Sequence, residues 1–350
     1  MLNRLANDAA FAALGLEAEF VERPVSFIDV GARNGVHEVA EPLARLTAVL
    51  AFEPDRAECQ RLLSDPAITS PWASFNLEAI ALSNKTADVS LYRAEVPTNH
   101  SLLPTFEPFV QRYAMAKFVG KGTITVSATM LDTILFDRRP TEPDLGEIIK
   151  LDTQGSEWEV LEGAARCLEE RCVAVYSEVW FCQAYENVKQ FSEVELLLRR
   201  HGFSFYGFPV WRGRSRRRLD KRTTLGRERP FCVDAVFLKD PFPGGPRPVE
   251  LSSRQRRVLF TVALLLGYPD FALEIGETVW RGNPAHLAAC RRLVESWAAV
   301  DPAATASEVF GLAERIRQTP DLAIIEAGRF SDRRRGYWDY DDAGLPLAGT

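Results

Sequence analysis

Four short apolar segments, each carrying an acid at or just beyond its end, constrain the fold of this chain more than any other feature. They are Ser26–Val30 with Asp29, Ala48–Phe52 before Glu53, Ile148–Leu151 before Asp152, and Val173–Val179 with Glu178. Helical patterns lie between them, and this alternation predicts an α/β fold with a mostly parallel sheet and helices on both faces. Ligands of such sheets bind at the carboxyl ends of the strands, where these acids lie.

The rest of the chain divides by composition. Phe75–Leu82 is predicted as a third strand. Phe203–Phe208 and Cys232–Leu238 have no helix between them, so they are expected to pair antiparallel at one edge. The Pro- and Gly-rich stretch 241–248 is predicted to be a linker. We therefore predict a ligand-binding domain over 1–240, a C-terminal helical extension over 249–331 and a loosely ordered tail over 332–350.

Composition excludes several classes of protein. The net charge of −6 gives no general attraction to nucleic acid. The six cysteines form no CxxC pair and no zinc-ligand spacing with histidine, so we expect reduced thiols and no metal site. The longest apolar run, Val258–Gly267, is too short to span a bilayer, and the N-terminal residues lack the pattern of a signal peptide. A cytoplasmic location is expected.

A glycine-containing turn follows the first strand as Gly31-Ala32-Arg33-Asn34-Gly35. A dinucleotide fingerprint would require further glycines where Arg33 and Val36 stand, so the pyrophosphate cradle is missing. The turn instead suits a ligand with an amino-acid end: Asp29 would accept from an ammonium group or orient water toward it. Glu53 suits two ribose hydroxyls, because one carboxylate accepts two hydrogen bonds. The alternative is that the glycines only shape a tight turn.

A longer set of motifs resembles the FkbM-type family of class I methyltransferases over about residues 27–239. Its strongest part is the segment 149–157, Ile-Lys-Leu-Asp-Thr-Gln-Gly-Ser-Glu, followed by Val160-Leu161-Glu162-Gly163-Ala164. Phe52-Glu53-Pro54 matches a second motif of the family, and Thr129-Met130-Leu131-Asp132 is similar to its Thr-Leu-Asp element with Met130 inserted. The family often has Asn at the third position of the glycine turn, where this chain has Arg33 followed by Asn34.

The resemblance implies a Rossmann-like class I methyltransferase sheet with an antiparallel last strand, and S-adenosyl-L-methionine as cofactor. It also implies O-methylation of a hydroxyl on a sugar, a glycan or a secondary metabolite. The residues expected to bind the cofactor are Asp29, Gly31, Ala32, Asn34, Gly35, Glu53, Pro54 and Ala81.

The catalytic candidates are acids above the expected cofactor and one histidine. A hydroxyl nucleophile needs a proton acceptor. We hypothesise that Asp152 helps to hold donor and acceptor and that Glu178 or His100 is the base. The alternatives are a strand-end ion pair for Glu178, a surface position for His100, and a divalent ion held by the carboxylates. Glu157, in the first turn of a helix, is explained by the helix dipole alone.

A basic tract between the last two strands is the remaining feature. Residues 211–229 contain Arg212, Arg214, Arg216, Arg217, Arg218, Lys221, Arg222, Arg227 and Arg229. It would attract a phosphate-bearing acceptor, such as a nucleotide sugar or a lipid-linked glycan, or RNA; the alternative is a solvated loop.

Two other readings of the whole chain stay open: a methyltransferase acting on RNA or protein, and a non-catalytic cofactor-binding scaffold. A nucleic-acid partner is disfavoured because the RNA-methylase motif Asn-Pro-Pro-aromatic is absent; 152–155 is Asp-Thr-Gln-Gly. The apolar stripes of the C-terminal helices are typical of core packing. They would alternatively cap the cleft or form a homo-oligomer.

Overall fold

The computed structural model describes residues 2–216, 218–220, 222–224 and 226–332. The helices are α1 (Ala9–Ala13), α2 (Leu16–Glu22), α3 (Arg56–Leu63), α4 (Pro66–Thr69), α5 (Glu107–Tyr113), α6 (Glu157–Glu162), α7 (Ala165–Glu170), α8 (Phe191–Arg200), α9 (Ser253–Leu265), α10 (Pro269–Val279), α11 (Pro284–Ala298), α12 (Pro302–Gln318) and α13 (Ala323–Asp332). The strands are β1 (Val25–Val30), β2 (Thr47–Phe52), β3 (Ser74–Glu78), β4 (Ala81–Leu82), β5 (Ala87–Ala94), β6 (Gly120–Thr129), β7 (Ile148–Leu151), β8 (Ala174–Trp180), β9 (Phe203–Arg214) and β10 (Arg229–Lys239).

Seven strands form the central sheet in the order β3-β2-β1-β7-β8-β10-β9. The first five are parallel, and β10 runs antiparallel to both β8 and β9. The predicted mostly parallel sheet with an antiparallel end is therefore confirmed. The class I strand order predicts that the strands ending at Asp152 and Glu178 are neighbours, and the structure confirms this. The strands that carry Asp29 and end at Glu53 are neighbours as well, as expected.

Four elements differ from the prediction. The apolar spacing over 2–16 predicts one leading helix, but the helix is broken at Gly15, whose φ is +75°. The stretch from the glycine turn to about Leu46 is predicted to be a helix, and the structure forms a 3-10 helix over Glu38–Leu46 with Pro42 inside it. The predicted third strand is divided between two sheets, β3 in the large one and β4 in a small sheet β4-β6-β5. Strand β6 was not predicted, because most of its side chains are exposed and it lacks the apolar pattern of a core strand.

The hydrophobic core lies on both faces of the sheet. On one face, α9, α10 and α11 pack together with α1, α2 and residues of β1, β7, β8 and β10 in one apolar cluster. On the other face, α6, α7 and α8 cover the same strands. The linker predicted at 241–248 does lie between β10 and α9, but the core continues across it. In contrast, α12 has no buried residue, and its Val309 and Phe310 are exposed.

Three sequence expectations can be compared with the described residues. All six cysteines are buried thiols without disulfides. Within the described part of the chain, no helix has the length and apolarity needed to cross a membrane. Nor do three or more His, Cys, Asp or Glu side chains there come together as a metal site. The predicted tail from residue 333 onward, and Arg217 and Lys221 of the basic tract, lie outside the described residues.

Candidate active site

The turn after β1 packs closely against the ends of β2 and β7. The amides of Gly31 and Ala32 both donate to the carbonyl of Phe52, at 3.0 and 3.1 Å. Gly31 has a φ of +79°, and a Cβ there would lie 2.0 Å from the carbonyl oxygen of Asp152. Only glycine fits this position, so backbone instead of side chain forms the floor of the turn.

The turn also depends on a buried ion pair beneath it. Asp29 is fully buried, its Oδ1 lies 3.1 Å from Nζ of Lys150, and its Oδ2 accepts from the amide of His37 at 2.9 Å. A carboxylate with these two partners stabilises the turn from below.

Three predicted ligand contacts are corrected by this geometry, because the residues do not line the cleft above the turn. Asp29 faces the protein interior. Ala32 packs with Val49 and Ala51 in a small apolar cluster. Gly35 faces Ile68. All three residues shape the turn and lie on the side of it that faces away from the cleft.

A cleft of about 690 Å³, measured out to open solvent, lies at the carboxyl ends of β1, β2 and β7. The predicted residues that line it are Gly31, Asn34, Glu53, Pro54, Ala81, His100 and Asp152. Lining residues that were not predicted include Arg33, Ile80, Leu82, Leu91, Ser101, Leu102, Gln154 and Ser156. The lining combines apolar side chains with carboxylates and hydroxyls, as expected of a pocket for a small organic ligand.

Glu53 reaches this cleft from the end of β2. It is 4% exposed, and its Oε1 accepts from the amide of Asp55 at 2.8 Å. Burial raises its pKa above the usual value, while the Asp55 amide and the nearby Arg33 guanidinium oppose that rise. No hydrogen bond to its other oxygen is present among the described residues, so this oxygen can accept from a ligand.

Ser156 adds a buried hydroxyl to the lining. The residue is 1% exposed, and its Oγ has no hydrogen-bond partner within the described ranges. Buried hydroxyls without partners are rare and costly, and a bound ligand would satisfy this one. The hydroxyl, the glycine floor and the Glu53 carboxylate are consistent with a ligand that has both polar and apolar parts.

The loop after β7 is held by Glu157. This carboxylate accepts from the amide of Thr153 at 2.8 Å and from that of Gly155 at 3.0 Å. Its complete burial raises its pKa to about 7. The helix dipole alone therefore does not explain why an acid stands at position 157. The Glu157 side chain turns back and holds the loop that carries Asp152 and Gln154.

Gln154 joins the two predicted catalytic acids. Its Nε2 donates to Oδ1 of Asp152 at 2.7 Å and to Oε2 of Glu178 at 3.0 Å. Its Oε1 accepts from the hydroxyl of Tyr185 at 3.0 Å. The predicted proximity of Asp152 and Glu178 is confirmed.

Glu178 is paired on its other side. Its Oε1 accepts from Nη1 of Arg212 at 3.1 Å, so both of its oxygens are engaged. Burial, followed by the charge of Asp152, holds the pKa of this carboxyl well above its usual value. The hypothesis that Glu178 is the base requires Arg212 or Gln154 to move away first.

His100 lines the cleft and was the other predicted base. Its Nδ1 accepts from the amide of Ala94 at 3.1 Å. Burial lowers its pKa, with further lowering by Arg33, so the neutral ring is favoured. The proton of that neutral ring is then on Nε2, which makes His100 a donor. The geometry therefore disagrees with His100 as the base.

Two residues beyond the cleft lining, next to Glu178 in the sheet, were also not predicted. Asp234 lies in the middle of β10 and Tyr176 in β8, and the tyrosine hydroxyl donates to Oδ2 of Asp234 at 3.1 Å. The sequence could have pointed to Asp234, because it is the one acid within the apolar run Cys232–Leu238. It could not have pointed to Tyr176, since a tyrosine in a buried strand is ordinary.

The strand order and the cleft together define a Rossmann-like fold of the class I methyltransferase type. Residues 29–205, half of the chain, match the model of the methyltransferase FkbM domain. The chain belongs to the FkbM methyltransferase family.

Solved structures with a similar fold include the methyltransferase FkbM of Methylobacillus flagellatus KT, with 18% identity, a TM-score of 0.32, and coverage of 66% of this chain and 56% of that one. A protein of Pyrococcus horikoshii, provisionally named an RNA methyltransferase, has 14% identity and a TM-score of 0.30, covering 66% and 81%. A Streptococcus pneumoniae protein, provisionally named a tRNA methyltransferase, has 10% identity and a TM-score of 0.32, covering 79% and 97%. No curated protein matches the chain. The family assignment rests on the matched segment alone.

Proposed function

We propose that this protein transfers a methyl group from S-adenosylmethionine to a hydroxyl oxygen of a small molecule or glycan. The observation that carries the proposal is the cleft lined by both the Glu53 carboxylate and the glycine floor at Gly31. Membership of the FkbM family supports the same activity.

The residues of the cleft fit each part of this cofactor. Glu53 would accept from the two ribose hydroxyls, because it is buried and one of its oxygens lacks a partner. Gly31 lets the ligand approach the backbone closely. Ile80, Ala81 and Leu82 provide an apolar wall for the adenine ring, and the unpartnered Ser156 hydroxyl offers one further hydrogen bond.

The chemistry asks little else of the protein. When bound, S-adenosylmethionine supplies an activated methyl group, so the chain has mainly to align the acceptor and to remove one proton. Asp152 lines the cleft and also borders Glu178, so it would orient the acceptor hydroxyl and take its proton. Gln154 holds Asp152 in place through the bond to Oδ1.

Replacing Glu53 by Gln tests the cofactor site. The amide keeps the shape but loses one acceptor and the charge, and a hydrogen bond to a charged group contributes roughly 1.5–3 kcal/mol. We expect the Kd for S-adenosylmethionine, measured by calorimetry, to rise about tenfold to a hundredfold.

Glu22→Gln is the matched control, since Glu22 is exposed at the end of α2, just before the opposite end of β1. An unchanged Kd in Glu53→Gln, or an equal rise in the control, would refute the assignment of Glu53. Tight binding without turnover of any hydroxyl acceptor would favour the scaffold reading.

The basic tract supports a phosphate-bearing acceptor. Arg212 is paired with Glu178, Arg222 with Asp220, and Arg214 lies over the ring of Phe231 at 4.8 Å. Arg216, Arg218 and Arg227 are exposed in the same hairpin between β9 and β10. Exposed arginines there would attract a phosphate toward the acceptor side of the sheet.

Changing Arg216, Arg218 and Arg227 together to Gln should weaken binding of a uridine diphosphate sugar, used as a probe, by about threefold to tenfold at low salt. Screening should remove the difference at high salt. Calorimetry with the S-adenosylhomocysteine-loaded protein measures this, and equal Kd values at low salt would contradict the steering role.

A further inference from the structure

Arg33, in the middle of the glycine turn, carries the only cationic side chain among the described residues that line the cleft. The other ionisable groups of the lining are the carboxylates of Glu53 and Asp152 and the imidazole of His100, for which the neutral ring is favoured. Lys150 also approaches the turn, but it lies in an ion pair beneath the floor and does not line the cleft. Within the described lining, an anionic group of a ligand can therefore meet a positive charge only at Arg33.

The backbone of the glycine turn offers few free donors to an anion. Free amides in a turn can bind anionic groups, but the amides of Gly31, Ala32 and Gly35 donate to carbonyl oxygens at 2.9 to 3.1 Å. The amide of Asn34 donates to Oε1 of Glu58 at 3.3 Å. Four of the five amides of the turn are thus used inside the protein. A side chain has to provide the donors for an anion here.

The Arg33 guanidinium is fixed by one carboxylate and keeps donors for another. Its Nη2 donates to Oδ2 of Asp55 at 3.1 Å, whereas Nη1 lies 3.9 Å from Oε1 of Glu53, longer than a hydrogen bond. Asp55 is itself held as the N-cap of α3, where its Oδ1 accepts from two backbone amides. Within the described part of the chain, Nη1 and Nε of Arg33 have no hydrogen-bond partner, and the side chain is 18% exposed. These N–H groups are therefore free and reachable.

The charges of the cleft act in opposite ways on the two groups of an amino acid. The carboxylates of Glu53 and Asp152 attract an ammonium group and repel a carboxylate, and such interactions are strong where water is excluded. A ligand with both groups, such as S-adenosylmethionine, therefore needs a cation beside its carboxylate. Arg33 is placed for this, because it belongs to the same turn as Gly31, the floor that suits an amino-acid end.

We propose that Arg33 binds the carboxylate of the cofactor's amino-acid end through the N–H groups that Asp55 leaves free. This inference rests on the proposed function and adds the residue that distinguishes an amino-acid-tailed nucleoside from one without the carboxylate. Asn34 also lines the cleft, but its side-chain amide is neutral and does not offset the charge of a carboxylate. Arg33 is thus a specificity-determining residue of the cofactor site.

Two ligands that differ only in this carboxylate test the proposal. They are S-adenosylhomocysteine and its decarboxylated analogue, 5′-(3-aminopropylthio)-5′-deoxyadenosine, which keeps the nucleoside and the ammonium group. Their Kd values are measured by calorimetry. We expect the unmodified protein to bind S-adenosylhomocysteine about tenfold to a hundredfold more tightly than the analogue, as a hydrogen-bonded charge pair allows.

Arg33→Met should remove this preference. The variant keeps the length of the side chain but loses its charge and its donors. Binding of S-adenosylhomocysteine should therefore weaken about tenfold to a hundredfold, while the decarboxylated analogue binds unchanged or more tightly. Arg33→Lys should retain part of the preference, because it restores the charge without the planar fork of donors.

Arg139→Met is the matched control. Arg139 pairs at 3.1 Å with Glu78, at the end of the neighbouring strand β3, and its side chain has a similar exposure of 24%. It lies outside the described lining of the cleft, so the ratio of the two Kd values should stay as in the unmodified protein. If Arg33 only kept Glu53 ionised for the ribose, Arg33→Met would weaken both ligands equally and leave their ratio unaltered, which would overturn the proposal.

A preference that survives Arg33→Met, or one that Arg139→Met removes as well, would also contradict the role of Arg33. The proposed function fails in a different way: no uptake of S-adenosylhomocysteine by the unmodified protein would refute it together with this inference. Uptake of both nucleosides with equal Kd values would refute this inference alone.

Discussion

Gly31→Ala is expected to abolish cofactor binding. The added Cβ would lie 2.0 Å from the carbonyl oxygen of Asp152, a backbone atom that cannot turn away. The turn and the end of β7 must then separate, which deforms the floor of the cleft. Left-handed backbone costs about 1–2 kcal/mol and overpacking about 1–3 kcal/mol more. We expect the Kd for S-adenosylmethionine to rise at least a hundredfold, measured by calorimetry.

Gly35→Ala separates steric exclusion from backbone strain. Gly35 is in the same turn with a φ of +104°, but a Cβ there meets only the Ile68 side chain, at an ordinary 3.5 Å. The control should lose some stability and change cofactor affinity little. If both variants bound alike, the close approach of Gly31 to Asp152 would not be what shapes the site.

Arg254→Met should cause the largest loss of stability. Arg254, in α9, makes two hydrogen bonds to the buried Glu147 before β7, at 2.7 and 3.1 Å, and also donates to the carbonyl oxygens of Arg23 and Pro24. Removing one partner of a buried pair leaves the other charge uncompensated, at a cost of about 3–5 kcal/mol. Chemical denaturation should show this loss in one cooperative transition, since α9 shares the sheet's core.

The pH dependence of this loss follows from Glu147. Burial raises the pKa of that carboxyl even beside Arg254. Without the arginine, the folded state favours the protonated Glu147 still more. The loss of stability caused by Arg254→Met should therefore grow as the pH rises above the pKa of glutamate in the unfolded chain, about 4.3, and shrink in acid. A penalty that grew on acidification would contradict this account.

Two further variants test the origin of the Arg254 effect. Arg257→Met in the same helix breaks the more exposed pair with Glu19 and should cost at most about 1 kcal/mol. Arg254→Met combined with Glu147→Gln should recover part of the loss, because no unpaired charge remains. A similar penalty at Arg257 would mean that charge burial is not the cause.

The local pattern predicted the central strands well. Each is a short, mainly apolar run that suits burial on both faces, although Asp29, Lys150 and Glu178 stand inside three of them. The acids at or near the ends of these runs marked the functional edge. Strand β6 was missed because its side chains are largely exposed. The sequence also predicts one helix over 156–168, but the helix is interrupted at Gly163, where a Cβ would lie 2.1 Å from the carbonyl oxygen of Ser83. That contact joins distant segments and has no local signature.

The candidate site was predicted only in part, because local sequence places a residue along its strand but does not show which distant groups its side chain contacts. Glu53 and Asp152 follow strands directly, so their place at the edge follows from the topology. Asp29 is turned inward by its ion pair with Lys150, and the Ala94 amide fixes which nitrogen of His100 carries the proton. Spacing along the chain shows neither of these contacts. Asp234 lies beside Glu178 only because β10 pairs antiparallel with β8.

The amino-acid order alone determined the alternation of strands and helices, the glycine turn and the acids at the strand ends, because each depends on neighbours within a few residues. Tertiary structure alone decided that Asp234 lies beside Glu178, which oxygens stay unbonded and how α9–α11 pack on the sheet. Those outcomes depend on the pairing of segments far apart in the chain, because a contact with a distant residue decides whether a side chain points into the cleft or into the protein interior.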